Sequence, residues 1–297
     1  MISREKMNEE LAKEIEEEEK KKKNKKILKI LAFIFIPLFI IFTVSYILLR
    51  YIGNIGIVVK EYPITNNKIT ADFDGIKIVQ FSDIHYNKYT EENKIKELVQ
   101  IINKTNPDIV IFTGDLIDNN YEITMSEKEF LISEFNKIKS TIGKYAIKGE
   151  EDNNTFDEIF TNSTFEILNN IIKNIYKNNS HIQLIAVDDN YQAYSEIKKQ
   201  EDDTFKIVIT HMPDNTDEII AYLTPDIVLA GHSHNGQVRL PFIGPLMKKI
   251  GSKKYINAYY EIDNTKLFVS GGIGNTKYNM RLLNHPSINF FRLKEKA

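Results

Sequence analysis

The sequence predicts an α/β domain carried behind one membrane-spanning helix. Three features lead there. Short apolar runs rich in Ile, Val and Phe alternate with stretches whose apolar residues fall at helical spacing. Five of those runs end on a carboxylate or an imidazole. Near the N-terminus, residues 30–49 contain no charge at all.

Residues 1–29 come first, a tail built from charge blocks: Glu16 to Glu19, then Lys20 to Lys23, Lys25, Lys26 and Lys29. Such blocks form solvated helix or disorder. The twenty residues that follow are apolar on every side, with no amphipathic stripe, and about that many are needed to cross a bilayer core of about 30 Å. Pro37 is compatible with a spanning helix. No small-residue cleavage pattern follows, so the span is expected to stay as an anchor. Seven lysines crowd its N-terminal flank from Lys20 to Lys29, and only Arg50 and Lys60 follow closely. By the positive-inside rule the tail is cytoplasmic and residues 50–297, the remaining domain, are extracytoplasmic at the cell membrane.

The tail holds eight acids and ten bases of the 41 and 39 in the chain, so the remainder is mildly acidic. No basic stripe tracks a phosphate backbone, and nucleic acid is not an expected substrate. No protein partner is predicted. With no cysteine among 297 residues, neither disulfides nor thiolate metal sites are possible.

The strand-like runs then arrive in order. Ile78-Val79-Gln80-Phe81 leads into Ser82-Asp83-Ile84-His85, and Ile109-Val110-Ile111-Phe112-Thr113 into Gly114-Asp115-Leu116-Ile117-Asp118. Lys144-Tyr145-Ala146-Ile147 leads into Gly149-Glu150-Glu151-Asp152, and Ile207-Val208-Ile209-Thr210 into His211. Last comes Ile227-Val228-Leu229-Ala230, followed by Gly231-His232-Ser233-His234-Asn235-Gly236-Gln237. Open α/β sheets build their sites at these C-terminal strand ends. Four of the six histidines fall there. In an extended segment His232 and His234 leave the backbone on the same side, as metal ligands would.

Helices are expected over residues 90–104, 126–139 and 214–223, and further strands over 57–60, 183–187, 267–270 and 288–293. Residues 153–179 are Asn-rich and ambiguous, with a short strand at 165–168. Asp83, His85, Asp115, His211, His232 and His234 are too many ligands for one ordinary ion. Two ions sharing a carboxylate fit the number, and such a pair clamps the attacking and leaving oxygens of a displacement at phosphorus, with a bridging hydroxide as nucleophile. Imidazole with carboxylate and no thiolate suits manganese, iron or zinc.

In that order, Asp83-Ile84-His85, Gly114-Asp115-Leu116-Ile117-Asp118, His211 and Gly231-His232-Ser233-His234 resemble the signature blocks of the calcineurin-like metallophosphoesterases. The extension to Gln237, with Leu240-Pro241 and Gly244-Pro245-Leu246, is similar to their membrane-anchored bacterial branch, which includes UDP-diacylglucosamine pyrophosphatase-type phosphodiesterases. The resemblance implies a four-layer α/β/β/α sandwich and two divalent cations. Asp83, His85 and His234 would hold one. Asp115 would bridge, His211 and His232 would hold the second, and Asp118 would steady neighbouring ligands.

One block departs from the family. Glu150 and Glu151 stand where its members carry Asn-His, so Glu150 would supply an oxygen with added charge to the second metal. Glu151 would take the place of the histidine that assists the leaving group, and it can act as an acid only if its pKa is raised. The expected function is membrane-anchored hydrolysis of a phosphodiester or diphosphate, on lipid-linked or envelope substrates, with Asp115 and Glu151 as catalytic residues. The alternative is an envelope sensor that binds metal or phosphate and has lost turnover with the Asn-His pair. Outside these blocks, His181 and His285 are expected at the surface or in packing, Gly271-Gly272-Ile273-Gly274 in a turn near the site, and Arg281 on a substrate phosphate or in a salt bridge. The stretch 241–260, apolar and lysine-bearing, suits either lipid headgroups or a plain loop and hairpin.

Overall fold

The computed structural model describes residues 4–87, 90, 92–188, 197, 203–276 and 278–296. The chain divides into two compact units, Met1–Leu48 and Leu49–Ala297.

The first unit is helical. One helix, α1, runs over Arg4–Arg50 through Pro37 without a break. It is long and apolar enough to cross a membrane. Its apolar side chains are exposed, Phe33 to 83% and Phe42 to 69%, which in water would be an untenable apolar surface.

The second unit holds two six-stranded sheets. Strands β1 (Val58–Asn66), β2 (Lys77–Phe81), β3 (Ile109–Thr113), β4 (Gly143–Ile147), β5 (Glu166–Ile167) and β14 (Ser287–Glu295) form one sheet in the order β1-β14-β2-β3-β4-β5. Within it β2 to β5 are parallel, and β14 inserts antiparallel to β2. Strands β6 (Ile171–Lys177), β7 (Ser180–Ala186), β8 (Lys206–Ile209), β9 (Ile227–Ala230), β12 (Tyr259–Ile262) and β13 (Thr265–Val269) form the other, ordered β12-β13-β9-β8-β7-β6 with β7, β8, β9 and β13 parallel. A small hairpin pairs β10 (Arg239–Leu240) with β11 (Gly244–Pro245).

The period of two in the strands explains the layering. Ile78, Ile109 and Ile111 of the first sheet face Ile207, Ile209, Leu229 and Phe268 of the second in one buried cluster. The alternate residues Val79, Phe81, Val110 and Phe112 face outward beneath helices α2 (Glu92–Lys104), α3 (Met125–Asn136) and α4 (Asn154–Thr161). Val208, Val228 and Ala230 do the same beneath α5 (Thr216–Leu223). Helix, sheet, sheet and helix make the four layers expected. Phe135 of α3 and Phe156 and Phe160 of α4 cluster with Phe112 and Phe165 through stacked, tilted and edge-on ring contacts; truncating one such ring to alanine typically costs about 3–5 kcal/mol.

The ambiguous stretch 153–179 contains α4, β5 and β6. Asn153 starts α4 by accepting a hydrogen bond from Thr155 N–H, a capping role that explains its place in an Asn-rich segment. Strand β12 was not anticipated. It lies antiparallel on the edge of β13 with alternating exposure, and its tyrosines serve as sheet residues.

Candidate metal centre

The parallel strands of both sheets deliver polar side chains to one edge. Asp83 and His85 follow β2, Asp115 follows β3, Glu150 and Glu151 follow β4, His211 follows β8, and His232 and His234 follow β9. Asp83, His85 and His234 form one group and Asp115, Glu150, His211 and His232 a second, while His85, Asp115 and Glu151 form a third that overlaps both, with the ligand atoms of each group within 4.8 Å of one another. Asp115 joins the first two: its Oδ2 lies 3.3 Å from His211 Nε2 and 3.5 Å from His85 Nε2.

Segment 231–237 corrects one expectation. It is a tight turn with a 3-10 helix at His234–Gly236, so the two imidazoles do not share a face. His232 Nδ1 lies 2.6 Å from Glu150 Oε1, whereas His234 Nε2 lies 3.0 Å from His85 Nε2 and 3.3 Å from Asp83 Oδ1. The backbone makes the division. Asp83, His85, Asp115, His232 and His234 all adopt left-handed φ values, between +42° and +64°. Such conformations are costly for residues with side chains and cluster where function constrains the chain.

Three of the four imidazoles are hydrogen-bonded from behind, and the fourth, His85, has a carboxylate close behind it. His211 Nδ1 donates to the Thr113 carbonyl at 2.7 Å, and His232 Nε2 to the Ile250 carbonyl at 2.6 Å. His85 Nδ1 is 3.3 Å from Glu151 Oε2, and Arg281 Nη2 is 3.3 Å from His234 Nδ1. The opposite ring nitrogen in each case points at the carboxylates. This is the arrangement by which outer partners orient metal-binding histidines. Asp115 Oδ2, His211 Nε2 and His232 Nδ1 are buried without a hydrogen bond. Buried polar atoms are seldom left so; atoms packed as close as 2.6 Å yet not aligned as donor and acceptor are converging on a common point. A nitrogen and oxygen donor set of this kind fits divalent manganese, iron or zinc.

Electrostatics agree. Burial opposes charge on His85 and His211, yet neighbouring carboxylates, Asp115 foremost among the charges on His211, raise both, His211 well above the ordinary range. A field that retains protons this way also attracts a divalent cation. Burial pushes His234 the other way, down to about 3. Glu151 feels burial that would raise it, but His85 and the Asn119 N–H hold it below the usual range.

Close approach is built in by glycine. A Cβ on Gly114, where φ is +91°, would sit 2.5 Å from His211 Nδ1. One on Gly149 would collide with Asp115 Oδ1. These two positions let the β3 and β4 loops interlock.

Asp152, which the sequence reading did not single out, ties that interlock. Its carboxylate accepts from the N–H groups of Asp115 and Leu116 at 2.8 Å and of Gly149 at 2.9 Å. Burial and the Asp115 charge push it up to about 6. Its signal was its place three residues after Gly149, the spacing of a side chain that turns back onto its own loop. Asp118 accepts from Asn87 Nδ2 and Asn120 N–H and reaches none of the clustered side chains. Arg281 is fully buried and, among the described residues, makes no ion pair with a carboxylate. It donates to the carbonyls of Gly271, Gly272 and Gly274 and to Asn275 Oδ1, fixing the glycine turn against His234. His285 is exposed, and His181 lies against the Tyr176 ring, tilted by 35°.

Comparison with known proteins places these features in company. The calcineurin-like phosphoesterase family model matches residues 76–236. The uncharacterized metallophosphoesterase YkuE of Bacillus subtilis is 31% identical over 255 residues, covering 82% of this chain and 88% of YkuE. Phosphodiesterase YaeI of Escherichia coli is 21% identical over 222 residues, 73% of this chain and 82% of YaeI. A transmembrane protein with metallophosphoesterase domain from Danio rerio is 26% identical over 259 residues, 80% of this chain and 57% of that protein.

Proposed function

The chain belongs to the calcineurin-like phosphoesterase family, and from that premise we propose that it hydrolyses phosphodiesters or diphosphates at a membrane surface. Two divalent cations, manganese, zinc or iron, would be held by Asp83, His85 and His234 on one side and by Glu150, His211 and His232 on the other. The observation that carries the reading is Asp115, set between the two donor groups within 3.5 Å of an imidazole of each. When bound, such a pair supplies Lewis-acid stabilisation of the charge that develops at phosphorus.

The chain's own residues orient that chemistry. Thr113, Ile250 and Glu151 fix the tautomers of His211, His232 and His85 so that the inward nitrogen carries a lone pair. Glu150 adds a carboxylate where an amide is usual, and its distances of 2.6 Å to both imidazoles support a ligand role rather than a lost position. Glu151, held ionised by His85, is an orienting base and not a proton donor to the leaving group. Substrates with good leaving groups should therefore turn over best.

The membrane part of the proposal rests on the apolar helix and on the lysines before it. Residues 1–29 would be a cytoplasmic tail, 30–49 the span and 50–297 an extracytoplasmic domain, with lipid-linked or envelope phosphoesters as substrates. Protease added to sealed cells that removed the tail and spared the domain would overturn this orientation.

The test is hydrolysis of bis-p-nitrophenyl phosphate by the full chain in detergent, stripped by chelator and refilled with manganese or zinc, beside Asp115→Asn. Restored turnover that the variant lacks is expected. Measured metal binding without turnover would favour the sensor reading instead.

A further inference from the structure

The hairpin β10–β11 and the loop after it present an apolar tip to solvent. Phe242 is fully exposed, Ile243 and Ile250 are exposed to 73% and 79%, and Leu246, Met247 and Leu283 lie beside them with about half or more of their surface free. Isolated exposed apolar residues are ordinary, but five within the nine residues 242–250 of one hairpin and loop, with Leu283 lining the same surface as Phe242 and Ile243, make an interaction surface. Its charge is one-sided. Residues 239–260 carry five basic side chains and no acid. Lys254 is paired with Asp217 and Arg239 is bound to Asn235 and Asn257, while Lys248 and Lys253 stand exposed.

A second observation concerns where the tip stands, and it lies wholly within residues 49–297. Leu49 is the last residue of the uncharged stretch. Its carbonyl accepts from Arg281 N–H at 2.9 Å. The next residue, Leu282, bridges Val238 and accepts from Arg239 N–H at 3.1 Å. Arg239 opens β10, and Phe242 is three residues further on, a reach of roughly 10 Å at the rise of an extended chain. The residue that ends the span and the base of the hairpin are thus two hydrogen-bonded steps apart.

We propose that this tip inserts into the surface of an anionic phospholipid bilayer, Phe242 and Ile243 entering the acyl boundary with Lys248 and Lys253 on headgroup phosphates. The inference rests on the membrane part of the proposed function. Asp214 and Asp217 are engaged at the base of the loop by the Lys253 and Lys254 N–H groups and the Lys254 amine, which leaves the exposed Lys248 and Lys253 amines as a cationic rim that matches phosphate headgroups better than a mixed-charge protein face. The tip also leads directly to the metal centre. The loop returns through Ile250, whose carbonyl holds His232, and through Gly251, packed on Met212 beside His211. A bilayer that orders the tip therefore orders the support of one imidazole.

The chain has no cysteine, so a single one reports cleanly. Full-length Phe242→Cys, labelled with an environment-sensitive fluorophore, is reconstituted into vesicles of anionic or of zwitterionic phospholipid. Asn179→Cys, in the exposed turn between β6 and β7, is the control, and Ile243→Cys repeats the measurement if the first variant does not fold. Blue-shifted emission that a shallow spin-labelled lipid quenches, strongest in anionic vesicles and absent at 179, is expected. Aqueous emission at 242 and 243 in both vesicle types overturns the proposal. So does a blue shift that spin-labelled lipid leaves unquenched, which assigns the tip to a second copy or another protein. Hydrolysis of bis-p-nitrophenyl phosphate is read in the same samples. Turnover with an aqueous tip rejects the insertion alone, whereas an inserted tip without turnover rejects the hydrolase reading alone.

Discussion

Glu150 Oε2 lies 2.6 Å from His211 Nε2, inside a cluster where the family ordinarily places a neutral amide. The carboxylate's other oxygen meets His232, and these two imidazoles hold Glu150 far below the usual carboxylate range despite burial. Glu150→Asn keeps one oxygen and removes the charge. It is expected to weaken binding of the second cation by about tenfold, and Glu150→Ala by about a hundredfold or more, against the 10–100-fold typical for loss of a supporting group. Metal titration of the chelated protein measures both. Equal affinity in all three forms would show that Glu150 is no ligand.

Glu151 is predicted to act through His85. Glu151→Gln should lower turnover by about 10–100-fold, as losses of such outer partners do, and by the same factor for activated and unactivated esters. A general acid behaves differently, because its loss falls mainly on poor leaving groups. A selective collapse on the unactivated ester would assign Glu151 that role after all.

Asp152→Ala leaves three N–H groups, those of buried Asp115 and Leu116 and of half-buried Gly149, without their acceptor. Each such loss costs about 1–3 kcal/mol, and the loops carrying Asp115 and Gly149 come apart. A lower thermal midpoint together with a metal content below that of the parent is expected. A change in midpoint with full metal content would limit Asp152 to stability.

Lys60 supplies a pH test away from the ligands. Burial, then the charges of Arg281 and Arg239, push its amine down to about 8, and no acid faces it among the described residues. A lysine whose folded pKa lies below its unfolded value of 10.5 destabilises the fold fully below pH 8. The penalty fades as pH rises from 8 to 10.5, because the unfolded chain then holds the extra proton. Lys60→Met should therefore stabilise at pH 7, by up to ~3 kcal/mol, and the gain should shrink by pH 10. Thermal midpoints at the two pH values decide it; a gain independent of pH would mean packing, not charge.

Much of the molecule was legible in the sequence. The alternation of Ile78 with Val79 and of Ile109 with Val110 assigns each residue to one face of a sheet, and the structure puts the first of each pair between the sheets and the second beneath helices. The uncharged residues 30–49 lie in one helix. The blocks after β2, β3, β4, β8 and β9 do converge on one edge. Residues 153–179 were ambiguous because asparagine favours caps and turns whatever it borders, so their helix and two strands carry weak local signals.

Those legible features share a cause. Strand period, helix period and the placement of a side chain at a strand end depend on covalent neighbours, and neighbours are what a sequence states directly. The division of His232 and His234 between two clusters depended on left-handed turns that only packed surroundings enforce. The ionised state of Glu151, the grip of Asp152 on the β3 loop and the burial of Arg281 behind His234 each required partners brought together from distant parts of the chain. His85 meets His234 across 149 residues of sequence, and no local pattern encodes a distance of that kind. The sequence alone determined which residues arrive at the centre; the packing of one sheet on the other decided what each of them faces there.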